Sequence, residues 1–279
     1  MEQGTLLILL SLLALVLLTA AGLFLYPVWR RRRIDRAVFP GHWVSILRRR
    51  LPFFDGMSPE QQYELQQLIK RFIHDKRFVG VAGQPIDDEL RVTIAAQACL
   101  LLLNRPGSEY GSLRTILVYP REFIARHVAQ DEAGLVRDER HVLAGESWDN
   151  GRIVLAWDSV ERGARDFSDG YNVVLHEFAH QLDQESGYAN GAPLLTSKGA
   201  YSAWARAFNE EFQSLQRAAA SHSKSLFDYY GATDPAEFFA VATETFYECP
   251  QQMAEQHPEL FGQLRHYYRV DPRDWGNRR

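Results

Sequence analysis

Apolar residues fall along this chain in three rhythms. The first is continuous. Leu6 to Leu25 is almost wholly apolar, and no charged side chain stands between Gln3 and Trp29. Twenty such residues in a helix rise about 30 Å, the thickness of a bilayer's hydrocarbon core. The run therefore predicts a transmembrane anchor over residues 1–29. Glu2 precedes it and Arg30 to Arg33 follow it, the reverse of a cleaved signal peptide. Basic flanks stay cytoplasmic, so the expectation is a single-pass inner (plasma) membrane protein with its N-terminus outside and its body cytoplasmic. Tyr26 and Trp29 suit the interfacial aromatic belt. Residues 30–55 read as a basic juxtamembrane segment, in which Arg48 to Arg50 suit either anionic lipid or an ordinary solvated face.

The second rhythm is helical. Ser58-Pro59-Glu60-Gln61 reads as a capping box with proline at the first helical position. Leu65, Leu68, Ile69, Phe72 and Ile73 then recur at helical spacing. A nearly all-apolar helix is predicted from Asp87 to Leu103, stopped by Asn104-Arg105-Pro106-Gly107. Tyr171 to Leu175 lead without a break into His176-Glu177-Phe178-Ala179-His180. After a loop from Gly187 to Pro193, Trp204, Phe208, Phe212 and Leu215 mark another helix, and a last one runs from about Pro235 to Glu248. The third rhythm is that of strands. Leu113 to Tyr119, His141 to Trp148 and Gly151 to Val160 are strand-like, the last two joined at Asp149-Asn150-Gly151, a hairpin signal. Residues 56–279 thus predict an α+β domain, mostly helical with a small sheet, behind one transmembrane helix.

Charge narrows the function classes. Residues 1–50 carry eight Arg against Glu2 and Asp35, a net +6, which leaves −10 of the overall −4 for the rest. An acidic body argues against nucleic-acid binding, whose affinity comes largely from neutralising phosphates. Cys99 and Cys249 are far apart and suggest neither a disulfide framework nor a thiolate metal site.

The run HEFAH carries the chemistry. Two histidines four apart lie on one helical face, close enough to share an ion. Glu177 follows the first and can take a proton from water activated by that ion, the spacing a zinc peptidase needs. Val174, Leu175, Phe178 and Ala179 imply burial, where two imidazoles and a carboxylate would be costly without a ligand. His176 and His180 are therefore read as ligands of one zinc ion, and Glu177 as general base. The metzincin pattern is excluded, because Asp183 and Ser186 stand where it needs Gly and His. A glutamate is then the third ligand. Glu210 and Glu211 lie on a helix with a polar face able to accept them. Glu237 stands among apolar residues, and its other reading is an N3 capping residue behind Asp234-Pro235.

Several stretches between Leu51 and Asp271 resemble the Mlc titration factor A family of zinc peptidases. They are Ile116-Leu117-Val118-Tyr119-Pro120, Gly145-Glu146-Ser147-Trp148, Ile153-Val154-Leu155-Ala156-Trp157, HEFAHQLD and Asp234-Pro235-Ala236-Glu237. The last two are also similar to the catalytic domain of anthrax lethal factor. The resemblance implies a zincin-like domain with His176, His180 and Glu237 as zinc ligands and Glu177 as base. It also implies that Tyr230, seven residues before Glu237, donates to the tetrahedral oxyanion, with Tyr229 a neighbouring candidate. Asp183 and Glu244 are candidate carboxylates behind the ligand histidines. The implied activity is of aminopeptidase type on a peptide or protein substrate. The implied alternative is a regulatory protein that sequesters a transcriptional repressor, with zinc mainly structural; an anchored chain departs from the soluble members that do this. The intact Glu177 favours chemistry, since purely structural zinc sites tend to have four protein ligands and no base.

Overall fold

The computed structural model describes residues 2–105, 109–130, 136–143, 145–148 and 151–276. The chain divides into two units, Met1–Phe39 and Pro40–Arg279. The first is helix α1 (Glu2–Arg36), which continues through Pro27 into the arginines. Among the described residues, no helix is long and apolar enough to cross a membrane. This corrects the expected transmembrane helix, and with it the single-pass inner-membrane placement and the membrane as a partner. Thr19 turns its hydroxyl back to the Leu15 and Val16 carbonyls, 2.9 Å each.

In the second unit, α2 (Gly41–Arg50) opens the chain and buries Ile46 and Leu47. Its arginines meet acids. Arg48 pairs with Asp55, Arg49 with Glu89, and Arg50 with Glu89 and Glu161. Helix α3 (Pro59–Asp75) begins with both halves of the Ser58–Gln61 capping box in place and buries Leu65, Leu68, Ile69 and Phe72. Strand β1 (Arg77–Gly80) follows, then α4 (Asp88–Leu100), capped by Asp87 and buried from Val92 to its end.

The strands that come next are β2 (Thr115–Tyr119), β3 (Phe123–Gln130), β4 (Val136–Leu143), β5 (Gly145–Trp148) and β6 (Arg152–Ala156). One sheet has the order β1-β2-β6-β5, and β3 pairs with β4 separately. β1, β2 and β6 run parallel, with Ile116 opposite Ile153, β5 runs antiparallel to β6, and β3 runs antiparallel to β4. An α+β reading leads to an antiparallel sheet with segregated helices. The parallel core corrects that reading, although a mostly helical body around a small sheet stands. The β5–β6 pairing is the expected hairpin; residues 149–150 of its turn lie outside the described residues. Gly151 has φ +77, and a methyl there would stand 2.6 Å from the Ser112 carbonyl.

The expected strand from Gly151 to Val160 ends early. From Trp157 the chain becomes helix α5 (Trp157–Arg165), with Val160, Gly163 and Ala164 buried on one side. The remaining helices are α6 (Val173–Asp183), α7 (Lys198–Ser221), α8 (Pro235–Glu248), α9 (Pro250–Gln256) and α10 (Pro258–Tyr268). Phe178 anchors α6 from behind, with its ring 4.8 Å from Tyr110 and 5.6 Å from Phe72. The histidines on the opposite side of the helix are thereby turned toward α8.

Candidate metal centre

Helix α6 is fixed at its first residue by an asparagine. Asn172 is fully buried, and its Oδ1 accepts from the Val174 and Leu175 amides at 3.1 Å. Its Nδ2 donates to Gln97 Oε1 of α4 at 2.8 Å and to Glu248 Oε1 of α8 at 3.0 Å, and its backbone N–H donates to the Glu244 carboxylate. The cap therefore satisfies two exposed helix-end donors while tying α6 to both neighbours. Burial pushes the Glu248 carboxyl up to about 9, so it stays protonated near neutrality.

Helix α8 supplies the opposing wall. Asp234 caps it by accepting from the Ala236 and Glu237 amides at 2.8 and 3.0 Å. Glu237, Glu244 and Glu248 are seven and four residues apart, which aligns them on one face. Across the gap, Glu237 Oε2 lies 2.9 Å from His176 Nε2 and 3.4 Å from His180 Nε2, and the two Nε2 atoms are 3.2 Å apart. Among the described residues these three are the group able to hold a metal ion.

The triangle fits an ion. Four ligands tetrahedrally arranged around zinc at about 2.0–2.1 Å stand about 3.3 Å from one another. With His176 Nδ1 donating to Glu244 Oε1 at 2.7 Å, the neutral ring presents its Nε2 lone pair where the other two donors converge. Converging lone pairs repel unless a cation lies among them. The electrostatics express the same demand. Burial lowers the His176 pKa, but the Glu244 charge and the hydrogen bonds with Glu237 and Glu244 outweigh it and hold it well above the usual value. Burial likewise raises Glu237, yet His176 and His180 hold its carboxyl far below the usual range. A carboxylate behind a ligand histidine is the usual device for fixing the tautomer.

Glu177 is 5% exposed. It lies under Gly145 of β5, where a methyl would stand 2.6 Å from Glu177 Oε1, 2.7 Å from its Cγ and 2.7 Å from Val173 Cγ2. Tyr230 follows Asp228, which accepts from its amide at 2.7 Å, and its ring centre is 6.0 Å from that of His176. Burial, then the charges of Glu237, Glu177 and Asp234, push its hydroxyl up to about 12. Tyr229 instead donates to the Ser223 carbonyl. Asp183 accepts from Gly191 N–H at 2.7 Å and so holds the loop after α6. Glu211 is engaged elsewhere, 2.9 Å from His257 Nδ1. Asn172, Gln97, Glu248 and Gly145 were not foreseen as parts of the site. An asparagine before an apolar helix, and a glutamate eleven residues after Glu237 on the same helical face, were the signals that could have found Asn172 and Glu248.

A donor set of two helix-borne imidazoles and one carboxylate, with a glutamate beside the first imidazole, defines a metal-dependent protein. Residues 26–269 match the glucose-regulated metallo-peptidase M90 family, and the chain belongs to that family. The uncharacterized protein slr2042 of Synechocystis sp. is 41% identical over 245 residues, 88% of this chain and 89% of its own. Mlc titration factor A of Cronobacter sakazakii is 33% identical over 239 residues, 85% of this chain and 88% of its own. That of Klebsiella pneumoniae is 32% identical over 225 residues, 80% and 84% of the two chains. The resemblance drawn from the sequence motifs is borne out.

Proposed function

We propose that this protein is a zinc peptidase of the aminopeptidase type, with Glu177 as general base. The observation that carries the reading is the triangle of His176, His180 and Glu237 donors, with separations of 2.9, 3.2 and 3.4 Å. These three residues would hold the ion, and Glu244 would orient His176. Zinc, when bound, supplies the Lewis acidity that makes water a nucleophile near neutral pH. Glu177 takes the proton from the attacking water and returns it to the departing amine. Tyr230, kept protonated, donates to the oxygen of the carbonyl under attack. The products are a carboxylate and an amine. The charges of Glu237, Glu177 and Asp234 around Tyr230 favour a substrate with a free, cationic amino terminus.

A chelator is expected to abolish hydrolysis of peptides with free amino termini, and stoichiometric zinc to restore it. N-acetylated versions of the same peptides should be cleaved far more slowly. Turnover that survives complete metal removal would overturn the zinc reading, and equal cleavage of acetylated peptides would overturn the aminopeptidase reading. The relatives named Mlc titration factor A support a second reading, sequestration of a transcriptional repressor. In that case binding to the partner persists in variants that have lost turnover.

Gly145 gives a sharper geometric test. Gly145→Ala forces the Glu177 carboxylate or the β5 backbone to shift, because the new methyl meets three atoms at 2.6–2.7 Å. Misplacement of a catalytic group by 1 Å costs about 10²-fold. The variant is expected to hold zinc like wild type and to lose about that much turnover, read from metal stoichiometry and kcat on one preparation.

A further inference from the structure

A second polar site lies in a groove of about 1570 Å3, none of whose lining residues belongs to the metal centre. Its wall joins the ends of three elements. Arg105 follows α4, Glu185 lies in the 3-10 turn after α6, and Tyr267 belongs to α10. The Arg105 guanidinium carbon stands 4.5 Å from the centre of the Tyr267 ring, and its Nη2 lies 3.7 Å from Glu185 Oε2. That separation is an ion pair too long to be a hydrogen bond. Three atoms of this wall are buried and have no hydrogen-bond partner among the described residues: Arg105 Nη1, Glu185 Oε1 and Tyr267 Oη. Buried polar atoms are nearly always paired, and each left alone costs its full desolvation penalty. Three such atoms on side chains that line one groove therefore point to a polar ligand held at this wall.

The chemistry of the wall selects among ligands. Arg105 and Glu185 carry opposite charges side by side. A simple anion attracted by one is repelled by the other, and the same holds for a simple cation. A molecule with an ammonium and a carboxylate on one carbon matches both charges at once and can make charge-assisted hydrogen bonds to both side chains. Leu194, Leu195 and Val270 add apolar surface to the same groove. We infer that this groove binds a free α-amino acid with an apolar side chain, Arg105 taking its carboxylate, Glu185 its ammonium and Tyr267 completing the cage. Such amino acids are products that an aminopeptidase releases, but the inference stands on different residues and does not rest on that reading.

Calorimetric titration of the zinc-loaded full chain with L-leucine, N-acetyl-leucine, leucinamide and glycerol tests it. Leucine is expected to bind saturably, one per chain. N-acetyl-leucine lacks the ammonium and leucinamide the carboxylate, so each should bind at least about tenfold more weakly. Glu185→Gln preserves shape, and should weaken leucine binding at least about tenfold with zinc content and melting temperature unchanged. Leucine bound only at the metal would be insensitive to Glu185→Gln, and that result would overturn the inference. Absence of saturable leucine binding, or binding of N-acetyl-leucine or glycerol as tightly as leucine, would overturn it equally. Arg105→Gln should match Glu185→Gln. If that variant fails to fold, the ligand series on the wild-type chain still decides.

Discussion

Glu177→Gln is expected to retain its zinc and to lose nearly all peptide turnover. Gln has the size of Glu and fits the space beneath Gly145 and beside Val173, so the fold and the three metal donors should be undisturbed. What disappears is the ability to accept a proton. General-base assistance is typically worth about 10²–10⁴-fold, and the loss should appear in kcat with little change in substrate binding. Zinc stoichiometry, a melting curve and initial rates on one preparation separate this from unfolding. Wild-type turnover in the variant would remove Glu177 from the mechanism. Lost turnover with intact partner binding would make sequestration, not hydrolysis, the biological role.

Local features were legible in the sequence because their signals are local. The capping box at Ser58, the hairpin between β5 and β6 and the helix through HEFAH each follow from a few adjacent residues; the box formed as read, while the hairpin strands are shorter than read and the helix begins at Val173. Glu237 could be paired with the histidines only as one of three glutamates until the resemblance weighed in, because its neighbour set suits both a ligand and an N3 cap. In the structure Asp234 is the cap, accepting from the Glu237 amide, while the Glu237 carboxylate lies 2.9 Å from His176 Nε2. What was not legible depends on contacts distant in sequence. Asn172 bridges α4, α6 and α8 across separations of 75 and 76 residues. No spacing rule reports such contacts. Strand β1 escaped notice because four residues ending in glycine carry too little periodicity, and its parallel pairing with β2 is a tertiary property. The anchor failed for a different reason. It was read from an uncharged stretch of sequence, whereas among the described residues no helix is long and apolar enough to cross a membrane.

Glu237→Ala is expected to remove zinc binding and activity together. Deleting a carboxylate that only supports a ligand typically costs 10–100-fold in metal affinity, so deleting a ligand should cost about 10²-fold or more. It also strips the anion that balances two imidazoles 2.9 and 3.4 Å away. The competing account makes Glu237 a helix-capping residue, whose loss costs about 1 kcal/mol of stability and leaves the metal bound. Asp234→Ala isolates that effect, because Asp234 accepts from the Ala236 and Glu237 amides without being among the metal donors. It should lower the melting temperature by several degrees, about 2–8 °C per kcal/mol, and keep zinc at one per chain. Glu211→Ala, which breaks only the pair with His257, should keep zinc as well. Competition against a chelator of known affinity ranks the three variants on one scale. Coordination predicts that Glu237→Ala alone falls off it. If Asp234→Ala and Glu237→Ala instead lose the same modest stability and hold zinc equally, the third ligand lies elsewhere and the triangle is a hydrogen-bonded cluster.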